Sequence, residues 1–442
     1  MSLQFITGNS GNGKTKYLFN RIVKEAKANP RDNYLVIVPE QFTMQTQRQL
    51  VDLSENKAIM NIDVLSFKRL AYRVFDELGI TNLTVLEETG KNLVLRKLAA
   101  QEADKLGVIG RNLNRIGYIS EVKSLLSELV QYNISPEELG RYIASGRLSD
   151  TLSDKLKDVL VLYEAFEKFM QDKYITAEEI LNVLSNVAEE SAILRNSVIA
   201  FDEFTGFTPI QNQLIKKLFV ISKKIYVTLT IDCREDIFKS RGMQELFDMP
   251  KRTVKSLTEM AAFYGIEVEE PIILDKNYRL AENEELSFME QQLFRKRRCS
   301  FKKVPKHIHI DCLRDPKQEL TKIARRINEL VRNENLRYRD IAIVTGDVNI
   351  YAGYVREIFD KYNIPYFIDA TQEILFHPFI EFIRSIPDIA AQNFSADAVF
   401  RFLRCGFTEL SASEIDVLEN YVLACGVRGK SAWDKKPDSR SS

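Results

Sequence analysis

The chain has 442 residues, 45% of them hydrophobic, and its 62 basic residues are balanced by 62 acidic ones. This length predicts two to four domains, and the neutral balance excludes an overall positive field, so any nucleic-acid site must be a local groove. Five widely spaced cysteines favour reduced thiols over a disulfide framework or a zinc site, and without a leader or a long apolar run we expect a soluble cytoplasmic protein that does not enter a membrane.

The first predicted elements are a buried strand over residues 3–6, a glycine-rich turn, and an amphipathic helix over residues 16–28. The turn fits the phosphate-binding pattern G-x-x-x-x-G-K-[ST] at every fixed position. Lys14 is expected to reach the terminal phosphates and the Thr15 hydroxyl to hold Mg²⁺. A glycine-rich loop can match by chance, but the flanking strand and helix supply the context that phosphate binding requires. The predicted nucleotide-binding residues are Gly8, Asn9, Ser10, Gly11, Asn12, Gly13, Lys14 and Thr15.

Two further strands, over residues 34–38 and 62–67, are each followed by polar residues. In a doubly wound sheet, the loops after the strands face the ligand crevice. Gln41, Phe67 and Arg69 are therefore candidates for contact with DNA. Ordinary loop and helix-capping chemistry explains the same segments equally well.

Residues 87–190 are almost wholly helical in pattern, with apolar residues repeating at helical spacing over 122–130. The segment predicts a helical domain inserted into the first sheet. An apolar strand over residues 197–201 follows and ends in Asp202 and Glu203. Acidic residues often end strands, but after a phosphate-binding loop this pair predicts Asp202 as a Mg²⁺ ligand and Glu203 as the residue that polarises water.

Several segments together resemble the B subunit of the AddAB helicase–nuclease family, which is related to superfamily 1 helicases of the UvrD and RecB type. They cover residues 8–15, 38–41, 65–70, 201–202, 204–209, 338–344, 364–369, 377–384 and 418–421. The resemblance implies an ATP-binding partner of a motor and nuclease subunit of the AddA type, in a heterodimer that acts on DNA ends. It also implies contact with single-stranded DNA, a part in Chi recognition, and a role in double-strand-break repair and recombination.

The resemblance also assigns particular residues. Residues 277–279 resemble the N-Y-R segment of these helicases, in which the arginine crosses to the γ-phosphate. Arg279 is thus a catalytic candidate, with an ordinary linker arginine as the alternative. Glu235 stands where such motors carry a glutamine, which weakens the case for coupled movement, whereas Glu203 stands where many relatives have glycine and favours hydrolysis. The basic run at residues 295–298 is either a phosphate contact or a solvated connector.

The predicted fold is α/β, with parallel sheets of the P-loop, RecA-like type in two α/β domains. The first covers residues 1–86 and 191–270, and the all-helical insertion covers 87–190. The second covers 271–392, with strands at 307–310, 341–344 and 366–368. The start of a helical domain occupies 393–442 and ends in a tail, residues 435–442, that is expected to be disordered.

We therefore expect an ATP- and Mg²⁺-binding, helicase-like subunit that contacts single-stranded DNA. Relatives carry a C-terminal nuclease domain and an iron–sulfur cluster, and neither is expected in this chain, which limits it to ATPase activity at most. The alternative is a scaffold that binds but does not hydrolyse nucleotide, forms a DNA channel and docks the motor subunit. A small-molecule kinase fits poorly, because it would not need the helical insertion or a second α/β unit.

Overall fold

A computed structural model describes residues 1–80, 84–108, 110, 116–146, 148–171, 174–295, 299–369 and 374–434. The predicted disordered tail, residues 435–442, lies outside these ranges. The chain divides into two compact units, residues 1–309 and 310–442.

The first unit is built on a parallel sheet. Within the described residues its strands are β1 (Ser2–Gly8), β2 (Tyr34–Ile37), β3 (Ile62–Leu65), β4 (Val85–Leu86), β5 (Ile175–Thr176), β6 (Val198–Phe201), β7 (Lys224–Thr230), β8 (Glu267–Val268) and β9 (Ile272–Leu274). The strand order is β3-β2-β6-β7-β1-β8, with β9 also paired to β1, while β4 and β5 form a separate parallel pair. The predicted α/β class with a parallel sheet is confirmed.

Helices surround this sheet and build most of the second unit. Those of the first unit are α1 (Lys14–Ala28), α2 (Thr43–Leu53), α3 (Phe67–Leu78), α4 (Glu88–Gln101), α5 (Ile116–Gln131), α6 (Pro136–Ala144), α7 (Asp150–Met170), α8 (Ile180–Val187), α9 (Pro209–Ile221), α10 (Asp248–Phe263) and α11 (Glu284–Gln292). Those of the second are α12 (Pro316–Asn333), α13 (Val348–Lys361), α14 (Pro378–Ala391), α15 (Ala396–Leu403), α16 (Ala412–Cys425) and α17 (Lys430–Trp433).

The sheet is buried on both faces because alternate side chains of each strand enter different cores. In β1, Leu3 and Phe5 join the core under α3, α8, α9 and α10, whereas Ile6 joins the core under α1 and α2. Burial on both sides requires the continuous apolar runs that mark these strands in the sequence. All these strands point their carboxyl ends to one edge, and that edge positions the candidate site.

The helical insertion has a core of its own, formed by α4, α5, α6 and α7. The buried Lys91 side chain of α4 forms an ion pair with Glu178, and its Nζ lies 2.7 Å from Glu178 Oε2. The last helix in the range predicted for the insertion, α8, packs into the core of the main sheet and not into the core of the insertion.

The second unit differs from the sequence-based expectation. Here α12 and α13 share one small core, and α15 and α16 contribute to another. Segments 341–344 and 366–368 are not strands in the described part of this unit, and neither is segment 307–310, which spans the division between the two units. A strand needs a paired neighbour and a buried face, yet Val344 is 92% exposed and Phe367 89% exposed.

The chain divides later than the boundary predicted at residue 270. Residues 272–274 form β9 beside β1, so the segment predicted to open the second α/β domain instead extends the first sheet. Among the helices that the structure describes, none is long and apolar enough to cross a membrane. All five cysteines are free thiols.

Candidate nucleotide-binding site

The phosphate-binding loop joins the end of β1 to the start of α1. Gly13 caps the helix in the left-handed region, with φ of 80°, where a side chain would be strained. The first turn of α1 contains no acidic residue. Its free N–H groups and the positive end of its dipole therefore face the loop without a carboxylate from the turn itself, which is an arrangement that binds an anion.

Lys14 spans this loop. Its Nζ donates to the carbonyl oxygens of Gly8 and Asn9, each at 3.1 Å. Burial lowers the pKa of Lys14, and the nearby carboxylates of Glu203 and Asp202 oppose that shift. A phosphate at this position would offer the ammonium group a stronger, charge-assisted partner than the two carbonyls.

Two carboxylates face the loop from the end of β6. The Thr15 Oγ1 donates to Glu203 Oε1 at 3.2 Å, and the Thr228 hydroxyl of neighbouring β7 donates to Asp202 Oδ1. Asp202 is 1% exposed, and its Oδ2 has no hydrogen-bond partner among the described residues. Burial raises the pKa of Asp202. The unpartnered oxygen of Asp202 and the Thr15 hydroxyl are hard oxygen ligands of the kind that Mg²⁺ prefers.

Glu203 lies in a strained backbone conformation. Its φ is 64°, in the left-handed region that residues other than glycine, asparagine and aspartate rarely adopt. Strain of this kind concentrates at functional sites, where surrounding contacts hold it. Here it accompanies the contact between Glu203 and Thr15.

These groups line a cavity of about 800 Å³ at the carboxyl edge of the sheet. The predicted residues that it brings together are Ser10, Gly11, Gly13, Lys14, Thr15, Asp202, Glu203 and Arg279. Arg279 Nη1 lies 3.4 Å from Ser10 Oγ. Sequence reasoning missed Thr228 and Tyr278, which also line the cavity. Thr228 carried no motif signal, because its role depends on β7 lying next to β6.

The candidate DNA contacts lie away from this cavity, after β2 and β3. Phe67 is only 7% exposed and packs against Phe201 and Phe204, with ring centroids 5.8 and 5.5 Å away. Gln41 and Arg69 are exposed. Arg69 Nε lies 3.9 Å from Glu40 Oε1, a loose ion pair that leaves the guanidinium available.

The segment that follows β7 forms an ion network. Asp232, 2% exposed, is bound by Arg234 and by Arg295, whose Nη2 lies 2.6 Å from its Oδ2. Glu235 pairs with the buried Lys251 at 2.6 Å and with Arg295 at 3.3 Å. Glu235 is thus committed to structural ion pairs. Of the basic run at 295–298, residues 296–298 lie outside the described residues.

Comparisons with known proteins show which family the chain belongs to. A family model described as "ADDB, N-terminal" matches residues 5–290. The B subunit of the ATP-dependent helicase/deoxyribonuclease of Lachnoclostridium phytofermentans is 39% identical over 445 residues, which cover 99% of this chain and 39% of the relative. The protein of the same name from Clostridium tetani is 34% identical over 447 residues, covering 99% and 38%. That from Clostridioides difficile is 34% identical over 446 residues, covering 100% and 38%. The chain thus spans 38–39% of the length of these relatives.

Proposed function

This chain belongs to the AddB N-terminal family, and on that premise we propose that it binds ATP with Mg²⁺ as the helicase-like part of a helicase–nuclease subunit. The observation that carries the proposal is the convergence of Lys14, Thr15 and Asp202 on one cavity with Glu203 and Arg279. These residues come from three separate segments of the chain. A shared cavity for all of them is expected of a nucleoside triphosphate site.

Each residue has a distinct part in the proposed site. Backbone N–H groups of the loop and the Lys14 ammonium hold the phosphates. Thr15 and Asp202 would hold Mg²⁺, which would neutralise phosphate charge. Glu203 orients the attacking water by accepting a hydrogen bond from it, and Arg279 contacts the terminal phosphate.

We also propose a DNA contact and a partner subunit. The relatives are named as the B subunit of an ATP-dependent helicase/deoxyribonuclease, so a motor and nuclease subunit of the AddA type is the proposed partner. The exposed Gln41 and Arg69 lie at the same edge of the sheet as the nucleotide cavity. They are the proposed contacts to the backbone of single-stranded DNA, in a role for double-strand-break repair.

A second candidate function is a nucleotide-stabilised scaffold that does not hydrolyse ATP. The ion pairs of Glu235 with Lys251 and Arg295 favour it, because they engage the side chain at the position where motors of the resembled type carry a glutamine. Glu203 favours the hydrolysing alternative, because it contacts Thr15.

ATP turnover with and without single-stranded DNA tests the proposal. We expect slow turnover in the wild-type chain that Glu203→Gln reduces by about a hundredfold, since loss of a general base costs about that much. Glu259→Gln, at an exposed glutamate of α10, is the matched control and should turn over ATP normally. Binding without any turnover would support the scaffold instead, and turnover that survives Glu203→Gln would contradict the role given to Glu203.

A further inference from the structure

We propose that Asn277 is a positioning residue of the nucleotide site, which fastens the turn at residues 277–279 to the phosphate-binding loop and so sets Arg279 against the phosphates. This inference rests on the proposed ATP-binding function. It adds a residue that no part of the phosphate-binding pattern contains.

The first observation is a pair of hydrogen bonds between the turn and the loop. Asn277 Nδ2 donates to the Ser10 carbonyl oxygen at 3.0 Å. The next residue repeats the contact through its backbone, because the Tyr278 N–H donates to the Gly11 carbonyl oxygen at 3.0 Å. Two adjacent bonds thus join the turn to the middle of the phosphate-binding loop.

The second observation is the close approach at Gly11. This position is variable in the phosphate-binding pattern, yet the residue has φ of 89°. A Cβ at Gly11 would lie 2.7 Å from Asn277 Oδ1 and 2.8 Å from Arg279 Cβ. The turn therefore touches the loop backbone directly, and glycine at this variable position is explained by that contact.

The third observation is the way in which Asn277 shapes its own turn. Its Oδ1 accepts from the backbone N–H groups of Arg279 and Leu280, each at 3.1 Å. Asparagine forms turns of this kind because its side chain replaces a backbone acceptor. One side chain thus fixes the backbone of Arg279 with its oxygen and holds the phosphate-binding loop with its nitrogen.

These contacts separate a positioning role from a purely structural one. A structural bond would support the fold equally for any bound nucleotide. A bond that sets Arg279 against the terminal phosphate must matter for ATP, which has a γ-phosphate, and much less for ADP, which lacks one. The ratio of ATP to ADP affinity therefore reports the positioning role.

The test measures ATP and ADP dissociation constants for the wild-type chain, Asn277→Ala, Arg279→Ala and the double variant. Asn283→Ala is the matched control, because Asn283 also accepts a backbone N–H, that of Leu286 at 3.0 Å, but caps α11. We expect Asn277→Ala to weaken ATP binding by about tenfold and ADP binding by less than about threefold, since a charge-assisted bond is lost only with ATP. Asn283→Ala should leave the ratio unchanged.

The double variant completes the cycle. It should bind ATP within about twofold of Arg279→Ala alone, because two residues that act through one contact are not additive. Equal losses for ATP and ADP, or additive losses in the double variant, would overturn the positioning role while leaving ATP binding intact. A wild-type chain that binds neither nucleotide would overturn the proposed function itself, and this inference with it.

Discussion

At the scale of a residue, the buried carboxylate of Asp202 shows how a side chain placed for binding can lower the free energy of unfolding. Its carboxyl group is 1% exposed, and one of its oxygens has no partner in the described part of the chain. Burial raises its pKa, so the ionised form is less favourable in the folded chain than in the unfolded one. Below the unfolded pKa both states are protonated and no penalty exists. The penalty grows as the pH rises from the unfolded pKa to the folded pKa, and it is complete above the folded pKa.

Asp202→Asn should therefore stabilise the chain at neutral pH while removing Mg²⁺-dependent nucleotide binding. The expected gain is about 1 kcal/mol in the free energy of unfolding, which corresponds to a rise of a few °C in Tm. Thermal unfolding at several pH values measures it, and the gain should shrink toward about pH 4.

Asp104→Asn, at an exposed aspartate, is the control and should not change Tm at neutral pH. Mg²⁺ with ATP should raise the Tm of the wild-type chain and not that of Asp202→Asn. A lower Tm for Asp202→Asn at neutral pH would contradict the account of the buried charge.

At the scale of an element, α3 carries two residues with opposite environments. Ser66 caps the helix by accepting from the Arg69 N–H at 3.3 Å, which fixes where the helix begins. Phe67 then packs against the rings of Phe201 and Phe204, whereas Arg69 is exposed to solvent. Both residues were predicted as DNA contacts, because the sequence does not reveal which of the two side chains is buried.

Paired variants of α3 distinguish the two environments. Phe67→Ala should lower the free energy of unfolding by about 3–5 kcal/mol, because it empties a buried aromatic site. Arg69→Ala should leave Tm unchanged and weaken binding of single-stranded DNA severalfold, since one phosphate contact is lost.

Arg73→Ala offers a closely matched comparison with Arg69→Ala. Arg73 is 55% exposed and Arg69 56%, and each lies in a loose ion pair, at 3.8 and 3.9 Å. Arg73 lies one turn farther from the helix start, so its removal should affect DNA binding less. Equal losses of affinity for single-stranded DNA in the two variants would contradict a specific contact by Arg69.

The strands of the first sheet were predictable because burial on both faces demands continuous apolar runs, as in residues 34–38 and 197–201. The short strands β8 and β9 were not, since two or three residues carry no periodic signal. The segments 341–344 and 366–368 have the same apolar character and yet remain unpaired. An apolar pattern indicates that a segment suits a strand, but it does not show whether a neighbouring strand is present to pair with it.

At the scale of the whole molecule, the balance of 62 basic and 62 acidic residues limits how nucleic acid can bind. With no overall positive field, binding of single-stranded DNA should depend on a few local phosphate contacts. We expect a slope of about −2 in a plot of log affinity against log salt concentration, as for about three phosphates on a single strand. A slope steeper than about −5 would indicate a broad basic channel instead.

The candidate site shows the same division between what sequence patterns reveal and what the fold adds. Lys14, Thr15 and Asp202 were predictable because each belongs to a local motif. Thr228 was not, because its role exists only where β7 lies beside β6. Asn277 belongs to the N-Y-R segment, but that pattern gave a role only to Arg279, and the contact of Asn277 exists only where the turn at 277–279 lies on the phosphate-binding loop. These parts of the site are formed by contacts between distant segments.

Residues 8–15 are proposed to bind a nucleoside triphosphate, and equilibrium binding of ATP with Mg²⁺ tests this most directly. The measurement compares the wild-type chain with Lys14→Ala and with Lys24→Ala, an exposed lysine of the same helix. We predict binding that Lys14→Ala weakens by at least about a hundredfold, since a buried charge-assisted contact is lost, and that Lys24→Ala leaves unchanged. Absence of binding in the folded wild-type chain, or equal binding by Lys14→Ala, would contradict the account.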